Sequence, residues 1–499
     1  MDTPKVCLTL TGKTLQEDLA ILDKYRKYID IAELRVDLLD DEERLYARRF
    51  PKMAGLPCIL TIRRTNDGGL FEEGEAGRTI LFARALAFAS EESNNNFAYV
   101  DFEEDFKVSS LQDAALAFGT KIIRSVHSME SPITDISAKL RQLCTTSYEI
   151  PKIAFMPNSL EDVESLFVQA AKLPDSPHIL LAMGDLGVPT RILGSRLKNY
   201  LTYTSASESN GKIKNLSHID PVTLDDVYHF RKINPRTRLF GITGWPLVAT
   251  SSPQLHNHGY DKKNMDAVYI PVRAEQFRQA LSFADSIGME GLSVTIPHKE
   301  AVFERIADVD TTARIIGSCN TVVKSGGTWH GFNTDFTGFT RALCEFTGKK
   351  SLMHKKVAII GAGGAARSIA YAVKKMGGAA CVFNRTVARA KDIADHFGFK
   401  YAPLSLEALP LLKRYNDVII QTTSKGMNAR MPATEQNDPL YFYEFTGKEL
   451  LFDIVYMPSV TPVMHRAALA GCRTCNGYDM LRYQGYEQFE LFTGERYDG

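Results

Sequence analysis

The chain has 499 residues, of which 44% are hydrophobic and 24% are charged, with 59 Lys and Arg against 59 Asp and Glu. This length is too great for a single hydrophobic core, so we expect two or three domains, and the zero net charge argues against binding to nucleic acid or to an anionic membrane. The eight cysteines include one close pair, Cys472 and Cys475, but no second Cys or His pair completes a zinc site, so we expect no metal and a reducing compartment.

The N-terminal residues and the apolar runs predict neither secretion nor a membrane span. The first ten residues lack a basic region followed by a long apolar run, and no run approaches about 18 apolar residues. We therefore expect a cytoplasmic protein, or one of an organelle stroma if a targeting segment has been removed. Its expected partners are small molecules, and a monomer and a homodimer both remain open.

Eight apolar runs alternate with amphipathic segments through the first 210 residues. The segment 159–172 is typical, since apolar residues recur at helical spacing after Ser159, a residue type that caps helices. Eight strands that alternate with helices predict an α/β fold of the (β/α)₈ (TIM) barrel type, whose active site lies where the strands end. The predicted strands are 5–10, 31–36, 57–62, 97–102, 121–126, 152–156, 178–183 and 201–205.

Polar residues gather at the ends of these strands. Taken singly, each has an ordinary explanation, such as a structural ion pair, a loop histidine or a solvated arginine. Together they bring an amine, an imidazole and several guanidinium groups to one barrel mouth. They are Glu33 and Arg35 on strand two with Asp37 after it, Arg63 and Arg64 at the end of strand three, His127 at the end of strand five, Lys152 on strand six, and Arg191 after strand seven.

Lys152 is the residue on which the predicted chemistry depends. A lysine in a buried strand either extends its ammonium to water or loses its proton and becomes an amine that attacks a carbonyl. An iminium formed with a ketone acidifies the adjacent carbon, and His127 could remove that proton and return it to a leaving hydroxyl. An arginine would hold a substrate carboxylate. These roles describe a Schiff-base elimination of water from a hydroxy-keto acid.

Residues 5–215 resemble type I 3-dehydroquinate dehydratase. The matching motifs are Glu33-Leu-Arg35-Val-Asp37, Thr61-Ile-Arg63, Asp67-Gly-Gly69, Ser125-Val-His127, Pro151-Lys152-Ile-Ala154 and Arg191. The resemblance implies that Lys152 forms the Schiff base and that His127 is the general acid and base. It also implies substrate contacts, which are Glu33, Arg35, Arg63 and Arg191.

The sequence departs from this family at two places. Asp67 stands where the family usually has a glutamate that supports the histidine. The loop over the substrate, Ser-Ala-Pro-Gly-Gln in the family, reads Ser-Glu-Ser-Asn-Gly-Lys from Ser207. Lys212 takes the glutamine position, and the family serine falls on Glu208 or, if the loop shifts, on Ser207 or Ser209. Ser207 and Lys212 are the candidate contacts, and the altered loop leaves open an inactive barrel that serves as a scaffold.

A second series of strands and helices begins at 238, after a polar helical segment over 223–231. Its clearest motif is an apolar strand from Val357 that runs into a glycine turn and a helix. The glycines of this turn permit a tight bend and close approach to a pyrophosphate at the helix N-terminus. The spacing therefore predicts a Rossmann lobe that binds a dinucleotide.

The next strand of this lobe ends in Asn384-Arg385-Thr386. A site for NAD would offer an acidic residue there to the ribose hydroxyls. Arg385, with Arg389 near it, instead suits a 2′-phosphate, so the predicted cofactor is NADP. Arg389 could equally be an exposed helix charge.

A pocket rich in hydroxyl, amide and charged groups is predicted upstream of the glycine turn. Lys299 ends a strand and a Pro-directed loop, and Asn320 and Asp335 follow later β-like segments. These residues could be ordinary turn formers. With Thr250 and Ser252, they would instead suit a polyhydroxy acid, and Lys299 and Asp335 could carry the proton that accompanies hydride transfer to a ketone.

Residues 238–499 resemble shikimate dehydrogenase, including a tail that contains Gly477-Tyr-Asp-Met480 and Gln484. The resemblance implies that Lys299 and Asp335 are the catalytic pair. The implied substrate contacts are Thr250, Ser252, Thr295, Asn320 and Gln484. The implied cofactor contacts are Gly361, Ala362, Gly363, Gly364, Ala365, Asn384, Arg385, Thr386, Arg389, Thr422, Met427, Tyr456 and Gly477.

Two positions in this half bear on the substrate. Thr250 replaces the family's first serine but keeps a hydroxyl, and Ser293 stands where many bacterial members have Asn. Ser252 favours shikimate over quinate, because a larger pocket there would admit quinate's extra hydroxyl.

The sequence thus predicts a barrel over 1–220, a linker over 221–237, a substrate lobe over 238–338 completed by 477–499, and a Rossmann NADP-binding lobe over 339–476. The two resemblances join consecutive reactions, dehydration of 3-dehydroquinate and NADPH-dependent reduction of 3-dehydroshikimate to shikimate. Three alternatives stay open: a quinate-handling enzyme, a dehydrogenase with a weakened or inactive barrel, and a dinucleotide-sensing regulator.

Overall fold

Eight parallel strands form the first sheet of the computed structural model, which describes residues 3–86, 90, 92–144, 146–207, 218–247, 250–427 and 429–499. Their order is β7-β6-β5-β4-β3-β2-β1-β8, which confirms the predicted barrel. The strands are β1 Lys5–Thr9, β2 Ile31–Arg35, β3 Cys58–Thr61, β4 Tyr99–Glu103, β5 Lys121–Ser128, β6 Glu149–Phe155, β7 Ile179–Ala182 and β8 Leu201–Ser205. The helices are α1 Leu15–Tyr25, α2 Asp41–Arg44, α3 Phe50–Ala54, α4 Gly74–Leu86, α5 Ser109–Ala117, α6 Ile136–Leu143, α7 Leu160–Ala170 and α8 Val188–Ile192.

The seam between β7 and β8 is closed by residues next to the strands. The Tyr200 N–H donates to the His178 carbonyl at 2.7 Å. The Asn199 side chain accepts from the Leu180 N–H at 2.8 Å and donates to the Leu180 carbonyl at 2.9 Å, as a neighbouring strand would. An amide side chain therefore satisfies the edge of β7.

Side-chain alternation explains why chemistry gathers at one end of this barrel. Ile31, Ile59, Tyr99, Ile123 and Ile150 belong to one buried core cluster. Successive side chains of a strand point to opposite faces, so residues two positions further along point the same way. The inward positions that follow those five are Glu33, Thr61, Asp101, Ser125 and Lys152. Each strand thus changes from an apolar to a polar inner face toward its carboxyl end.

A six-stranded sheet of order β10-β9-β11-β13-β14-β12 follows the barrel. Its strands are β9 Arg238–Gly244, β10 Ala267–Arg273, β11 Met289–Val294, β12 Asp308–Val309, β13 Thr321–Ser325 and β14 Thr328–Phe332. Its helices are α9 Ser252–Lys262, α10 Phe277–Ile287, α11 Thr311–Ile316 and α12 Asp335–Thr347.

The third sheet is parallel and has the order β17-β16-β15-β18-β19-β20. This is the doubly wound Rossmann order, whose ligand crevice lies where the strand order reverses, beside β15. Its strands are β15 Lys356–Ile360, β16 Ala379–Asn384, β17 Lys400–Pro403, β18 Val418–Gln421, β19 Leu450–Asp453 and β20 Arg473–Cys475. Its helices are α13 Gly364–Lys375, α14 Val387–Phe397, α15 Leu409–Arg414, α16 Pro462–Leu469 and α17 Tyr478–Thr493.

Packing divides the chain into two compact units, Met1–Gly241 with Tyr260–Met289, and Ile242–Gly259 with Glu290–Gly499. In the first unit, α10 packs on α7 of the barrel, where Phe167 and Phe283 form an edge-to-face pair with centroids 5.8 Å apart. Glu164 accepts a hydrogen bond from Ser282 at 3.0 Å in the same contact. The packing units therefore cut across the predicted substrate lobe, and the predicted domain bounds stay a prediction.

The predicted helical segment at 223–231 is a π-helical turn at Thr223–Val227 followed by a 3₁₀ turn at Phe230–Lys232. Leu224 and Phe230 are buried, so this linker packs on its neighbours rather than extending into solvent. Within the described ranges, no helix is both long enough and apolar enough to cross a bilayer.

Candidate active sites

Lys152 lies buried inside the barrel mouth on β6. Its Nζ donates to Asp101 Oδ2 at 2.9 Å and to the Tyr203 hydroxyl at 3.1 Å, and it lies 4.3 Å from the centre of the Tyr203 ring. The side chain is only 5% exposed, so its ammonium does not extend to bulk water. The structure thus places an amine in a confined, polar pocket.

Asp101 holds this pocket together. Its carboxylate accepts from Lys152, from Arg63 Nη2 at 2.9 Å and from the Ser125 hydroxyl at 2.5 Å. Arg63 also donates to Glu103 at 2.7 Å. Burial would raise the pKa of Asp101, but the charges of Arg63 and Lys152 hold it well below its ordinary value. Asp101 is therefore a carboxylate that two cations share.

The three arginines of the predicted site differ in their partners. Arg35 donates from Nε and Nη2 to both oxygens of Asp37, at 2.9 and 2.7 Å, and Arg63 is paired as described above. Arg191 is buried, and its Nε and Nη1 have no hydrogen-bond partner among the described residues. Burial lowers the pKa of Arg191 to about 10. Arg191 is therefore a buried guanidinium with two nitrogens that the described residues leave unpaired.

His127 is half-buried near Lys152. On paired strands, Ser125 lies opposite Lys152 and His127 opposite Ala154, so both predicted catalytic side chains point into the mouth. Burial, and then the charges of Arg63 and Lys152, lower the pKa of His127 well below its ordinary value. The imidazole is therefore unprotonated near pH 7.

Glu33 has hydroxyl partners inside the barrel, whereas Asp67 pairs with an arginine and not with the histidine. Glu33 accepts hydrogen bonds from the Thr9 and Thr61 hydroxyls, at 2.7 and 2.9 Å. Asp67 accepts from Arg64 Nε at 2.7 Å, while His127 Nδ1 has no partner within the described part of the chain.

The loop expected over the substrate is described only at its two ends. Ser207 is exposed, and its hydroxyl donates to Asp220 at 2.6 Å. Lys212, with the rest of 208–217, lies outside the described residues.

Sequence reasoning missed Asp101, Glu103 and Tyr203. The signal was present for the two acids, because Asp101 and Glu103 follow Tyr99 at two-residue spacing on β4 and so share its inward face. No motif pointed to Tyr203, which needed the register of β8 beside β1 to place it.

The second candidate site centres on Lys299 and Asp335, which form an ion pair. Asn320 Nδ2 donates to Asp335 Oδ1 at 3.0 Å and to Gln484 Oε1 at 3.2 Å. Four predicted residues, distant in sequence, therefore meet. Gln488, which the sequence did not indicate, braces this group by donating to the Asn320 carbonyl at 3.2 Å.

The predicted hydroxyl contacts have partners outside the group around Lys299 and Asp335; they are Thr250, Ser252 and Thr295. The Thr250 and Ser252 hydroxyls lie 3.1 Å apart where α9 begins. The Thr295 N–H donates to the Thr243 carbonyl at 2.9 Å. No hydrogen bond between described residues joins these three side chains to Lys299 or Asp335. Ser293 donates to Gln488 at 2.8 Å.

The glycine turn has the shape that a pyrophosphate requires. Gly361 has φ of +114°, and a Cβ there would lie 2.5 Å from Thr422 Oγ1, so the position needs glycine. A Cβ at Gly363, the residue before α13, would meet nothing within 4 Å. The open space faces a helix N-terminus with no side-chain cap, which suits an anionic group.

Gly364 joins this turn to the catalytic pair, because a Cβ there would lie 3.2 Å from Lys299 Cδ. At the next strand, Asn384 Nδ2 donates to the Thr386 carbonyl at 3.0 Å. Arg385 and Arg389 are exposed and form no ion pair with any described residue. The other predicted cofactor contacts differ in exposure: Ala362, Ala365 and Tyr456 are half-buried, Thr422 and Gly477 are buried, and Met427 is exposed.

Comparison with known proteins assigns a family to each half. A model of type I 3-dehydroquinase matches residues 6–235, one of the shikimate dehydrogenase substrate binding domain matches 242–322, and one of shikimate / quinate 5-dehydrogenase matches 345–464. The chain is 32% identical over 485 residues to a chloroplastic bifunctional 3-dehydroquinate dehydratase/shikimate dehydrogenase of Arabidopsis thaliana, covering 93% of this chain and 78% of that protein. These matches confirm both resemblances.

Single-function relatives match the second half. A shikimate dehydrogenase (NADP(+)) of Methanothermobacter thermautotrophicus is 38% identical over 270 residues, which is 52% of this chain and 93% of that protein. A solved shikimate 5-dehydrogenase of Thermus thermophilus in complex with NADP(H) and shikimate is 28% identical, with a TM-score of 0.44, over 52% of this chain and 94% of that one.

Asp37 should make the stability of the barrel depend on pH. Burial would raise its pKa, but Arg35 and backbone N–H donors hold the pKa of Asp37 below its ordinary value. Such a carboxyl contributes stability above its unfolded pKa of about 3.9, and this is lost as the pH falls. We expect the free energy of unfolding of Asp37→Asn to fall less steeply than that of the wild type between about pH 5 and pH 2.

Urea unfolding at several pH values, followed by circular dichroism, measures these slopes. Asp113→Asn, at an exposed position on α5, is the matched control and should reproduce the wild-type slope. Parallel curves for wild type and Asp37→Asn would contradict the prediction.

Gly361→Ala and Gly363→Ala should separate stability from dinucleotide binding. The first variant forces a side chain into a left-handed conformation against Thr422, so unfolding should become easier by about 1–3 kcal/mol. The second keeps its stability, but its methyl group occupies the space before α13 and should weaken dinucleotide binding. Thermal unfolding and fluorescence titration measure the two effects, and unchanged binding by Gly363→Ala would contradict the assignment of this space.

Proposed function

The chain belongs to the family of bifunctional 3-dehydroquinate dehydratase/shikimate dehydrogenase enzymes, and we propose that each of its two sites works through the side chains gathered there. The protein is a lyase that converts 3-dehydroquinate to 3-dehydroshikimate, and an oxidoreductase that reduces this product to shikimate with a nicotinamide dinucleotide. The buried Lys152, held between Asp101 and Tyr203 in a mouth that also contains His127, is the observation that carries the first mechanism.

Lys152 forms the Schiff base. The Lys152 side chain gives up a proton and its amine adds to the substrate ketone. The ketone oxygen then leaves as water with that proton and one from the nitrogen, which gives an iminium that acidifies the adjacent carbon. His127 removes a proton from that carbon, and the electron pair forms the ring double bond as the hydroxyl leaves. His127 returns its proton to the leaving hydroxyl, so water departs, and hydrolysis of the iminium releases the product and Lys152. The lowered pKa of His127 leaves its imidazole unprotonated near pH 7, which is the form that a general base needs.

Arg191 binds the substrate carboxylate. Its open donors support this role, since an unpaired buried guanidinium gains most from an anionic partner. Arg35 and Arg63 already have carboxylate partners, so they mainly orient the pocket. They can donate to the substrate only from N–H groups that those carboxylates do not use. Glu33 and Ser207 are further candidate contacts.

Lys299 and Asp335 move the proton in the second reaction. The dinucleotide, when bound, supplies the hydride to the ketone carbon. Lys299, paired with Asp335, donates a proton to the ketone oxygen, while Asn320 and Gln484 orient the ring hydroxyls. The close approach of Gly364 to Lys299 supports this geometry, because it joins the dinucleotide turn to the proton donor. Thr250, Ser252 and Thr295 would complete the substrate pocket.

The preferred dinucleotide is NADP. Two exposed arginines, Arg385 and Arg389, follow β16 and form no ion pair within the described part of the chain, and such groups suit a 2′-phosphate. The eight free cysteines support a reducing compartment, either cytoplasm or organelle stroma. Whether the protein is a monomer or a homodimer stays a prediction.

Lys152→Met should abolish dehydration of 3-dehydroquinate and leave shikimate oxidation unchanged. Borohydride added with 3-dehydroquinate should attach the substrate covalently to Lys152 in the wild type and to nothing in the variant. His127→Ala should still be trapped but turn over about 10²–10⁴-fold more slowly. Enone absorbance and mass spectrometry of the trapped peptide are the measurements.

Lys172→Met is the matched control, since Lys172 is an exposed lysine that follows α7. It should keep both activities. Trapping on another lysine would overturn the mechanism, and a wild type without dehydration would support the scaffold alternative. Strong quinate oxidation with NAD would support the quinate alternative.

Arg385→Ala should raise the KM for NADPH about tenfold or more, because a hydrogen-bonded charge pair is worth about 1.5–3 kcal/mol. The KM for NADH should not change, since NADH lacks the 2′-phosphate. Arg414→Ala, at an exposed arginine of the same lobe, is the control. Equal loss with both cofactors would contradict the assignment.

A further inference from the structure

His218 belongs to the wall of the dehydratase mouth, although it lies 13 residues beyond the end of β8. The Ser205 N–H donates to the Ile219 carbonyl at 3.4 Å, and the Ser207 hydroxyl donates to Asp220 at 2.6 Å. These two contacts hold 218–220 against the end of β8. The family motifs offered no reason to select this histidine.

The His218 ring has one bonded and one open nitrogen. The ring hydrogen-bonds to the backbone of Thr204, near the carboxyl end of β8. Nδ1 is buried and has no hydrogen-bond partner among the described residues. If the bonded Nε2 donates to the Thr204 carbonyl, the neutral ring leaves a lone pair on Nδ1. Nδ1 is therefore an acceptor without a donor.

The surroundings keep this imidazole neutral. Burial lowers the pKa of His218 well below its ordinary value, and the charges of Arg191, Arg35 and Lys152 lower it further. A ring close to three cations does not hold a proton of its own near pH 7. The mouth thus contains an unpaired imidazole acceptor, and the unpaired donors of Arg191 belong to the charge that most lowers the pKa of His218.

We propose that Nδ1 of His218 accepts a hydrogen bond from a ring hydroxyl of the substrate whose carboxylate Arg191 holds. This inference rests on the proposed dehydratase function and adds a specificity residue to it. A hydroxy acid is the ligand that fits, because it brings a carboxylate for the guanidinium and a hydroxyl donor for the imidazole. A substrate without that hydroxyl would leave the buried Nδ1 unpaired, which is the source of discrimination.

The test compares His218→Ala and His218→Gln in the full chain. His218→Ala should raise the KM for 3-dehydroquinate about tenfold with a smaller change in kcat. His218→Gln should recover most of the affinity, because its amide oxygen can accept the same hydrogen bond. Shikimate oxidation and the melting temperature should match the wild type in both variants. His465→Ala, at an exposed histidine of the other unit, is the control.

Substrate analogues that each lack one retained ring hydroxyl identify the bond. One analogue should bind both the wild type and His218→Gln about tenfold more weakly than 3-dehydroquinate does. The affinity of His218→Ala for this analogue should equal the affinity of the wild type for the same analogue. Equal losses for all analogues, or a glutamine variant as impaired as the alanine variant, would overturn the proposal. If the alanine variant does not fold, the selectivity of the glutamine variant decides.

Borohydride trapping separates this inference from the function on which it rests. A His218→Ala variant that is trapped at Lys152 and has an unchanged KM refutes the role of His218 and leaves the dehydratase mechanism intact. A wild type that is not trapped refutes the mechanism itself.

Discussion

The carboxylate of Asp101 is the interaction on which the barrel mouth depends. Removing a lysine, an arginine and an aspartate from water costs several kcal/mol for each ion unless they satisfy one another. Asp101 meets that condition by accepting from Lys152, Arg63 and Ser125 at once. Without it, Lys152 would lose its carboxylate partner and lie beside the cation of Arg63, which would keep only Glu103 as a partner.

The pairing of charges also assigns roles among residues of one type. Three arginines line the same mouth, but the protein neutralises Arg35 with Asp37 and Arg63 with two acids. Arg191 has no carboxylate partner among the described residues, and its buried Nε and Nη1 have no hydrogen-bond partner there. The proposed anion-binding position is thus the arginine without a carboxylate partner. Charge also decides the state of His218, because the nearby cations keep its imidazole neutral and able to accept a hydrogen bond.

In the second half the controlling constraint is steric. Gly361 leaves β15 with a backbone that other residues rarely adopt, and Gly364 allows the turn to approach Lys299. A side chain on either glycine would crowd Thr422 or Lys299. Asn320 donates to both Asp335 and Gln484, and this network holds Asp335, the partner of Lys299, in a buried position.

Much of the fold and of the candidate sites could be predicted because their signals in the sequence are local. Strands of the barrel begin and end within three residues of the predicted positions, since apolar runs and caps report burial and helix starts directly. Ser159 forms the predicted cap of α7, with Asp162 completing a capping box. Lys152 and His127 could be selected because their residue types carry unusual chemistry at strand ends. Asp101 and Glu103 were overlooked because an acid on a strand looks ordinary until its neighbours are known.

The sequence by itself determined the two folds and the order of the two activities along the chain, and it predicted the residues that would supply a Schiff base, a proton or a phosphate contact. Periodicity, glycine spacing and residue type express these features within a few neighbouring positions. Only the tertiary structure decided which charges are paired, which arginine and histidine nitrogens stay open, and that Asp67 bonds Arg64 rather than His127. Pairing depends on distances between side chains that are tens of residues apart, and only strand register and loop packing set those distances.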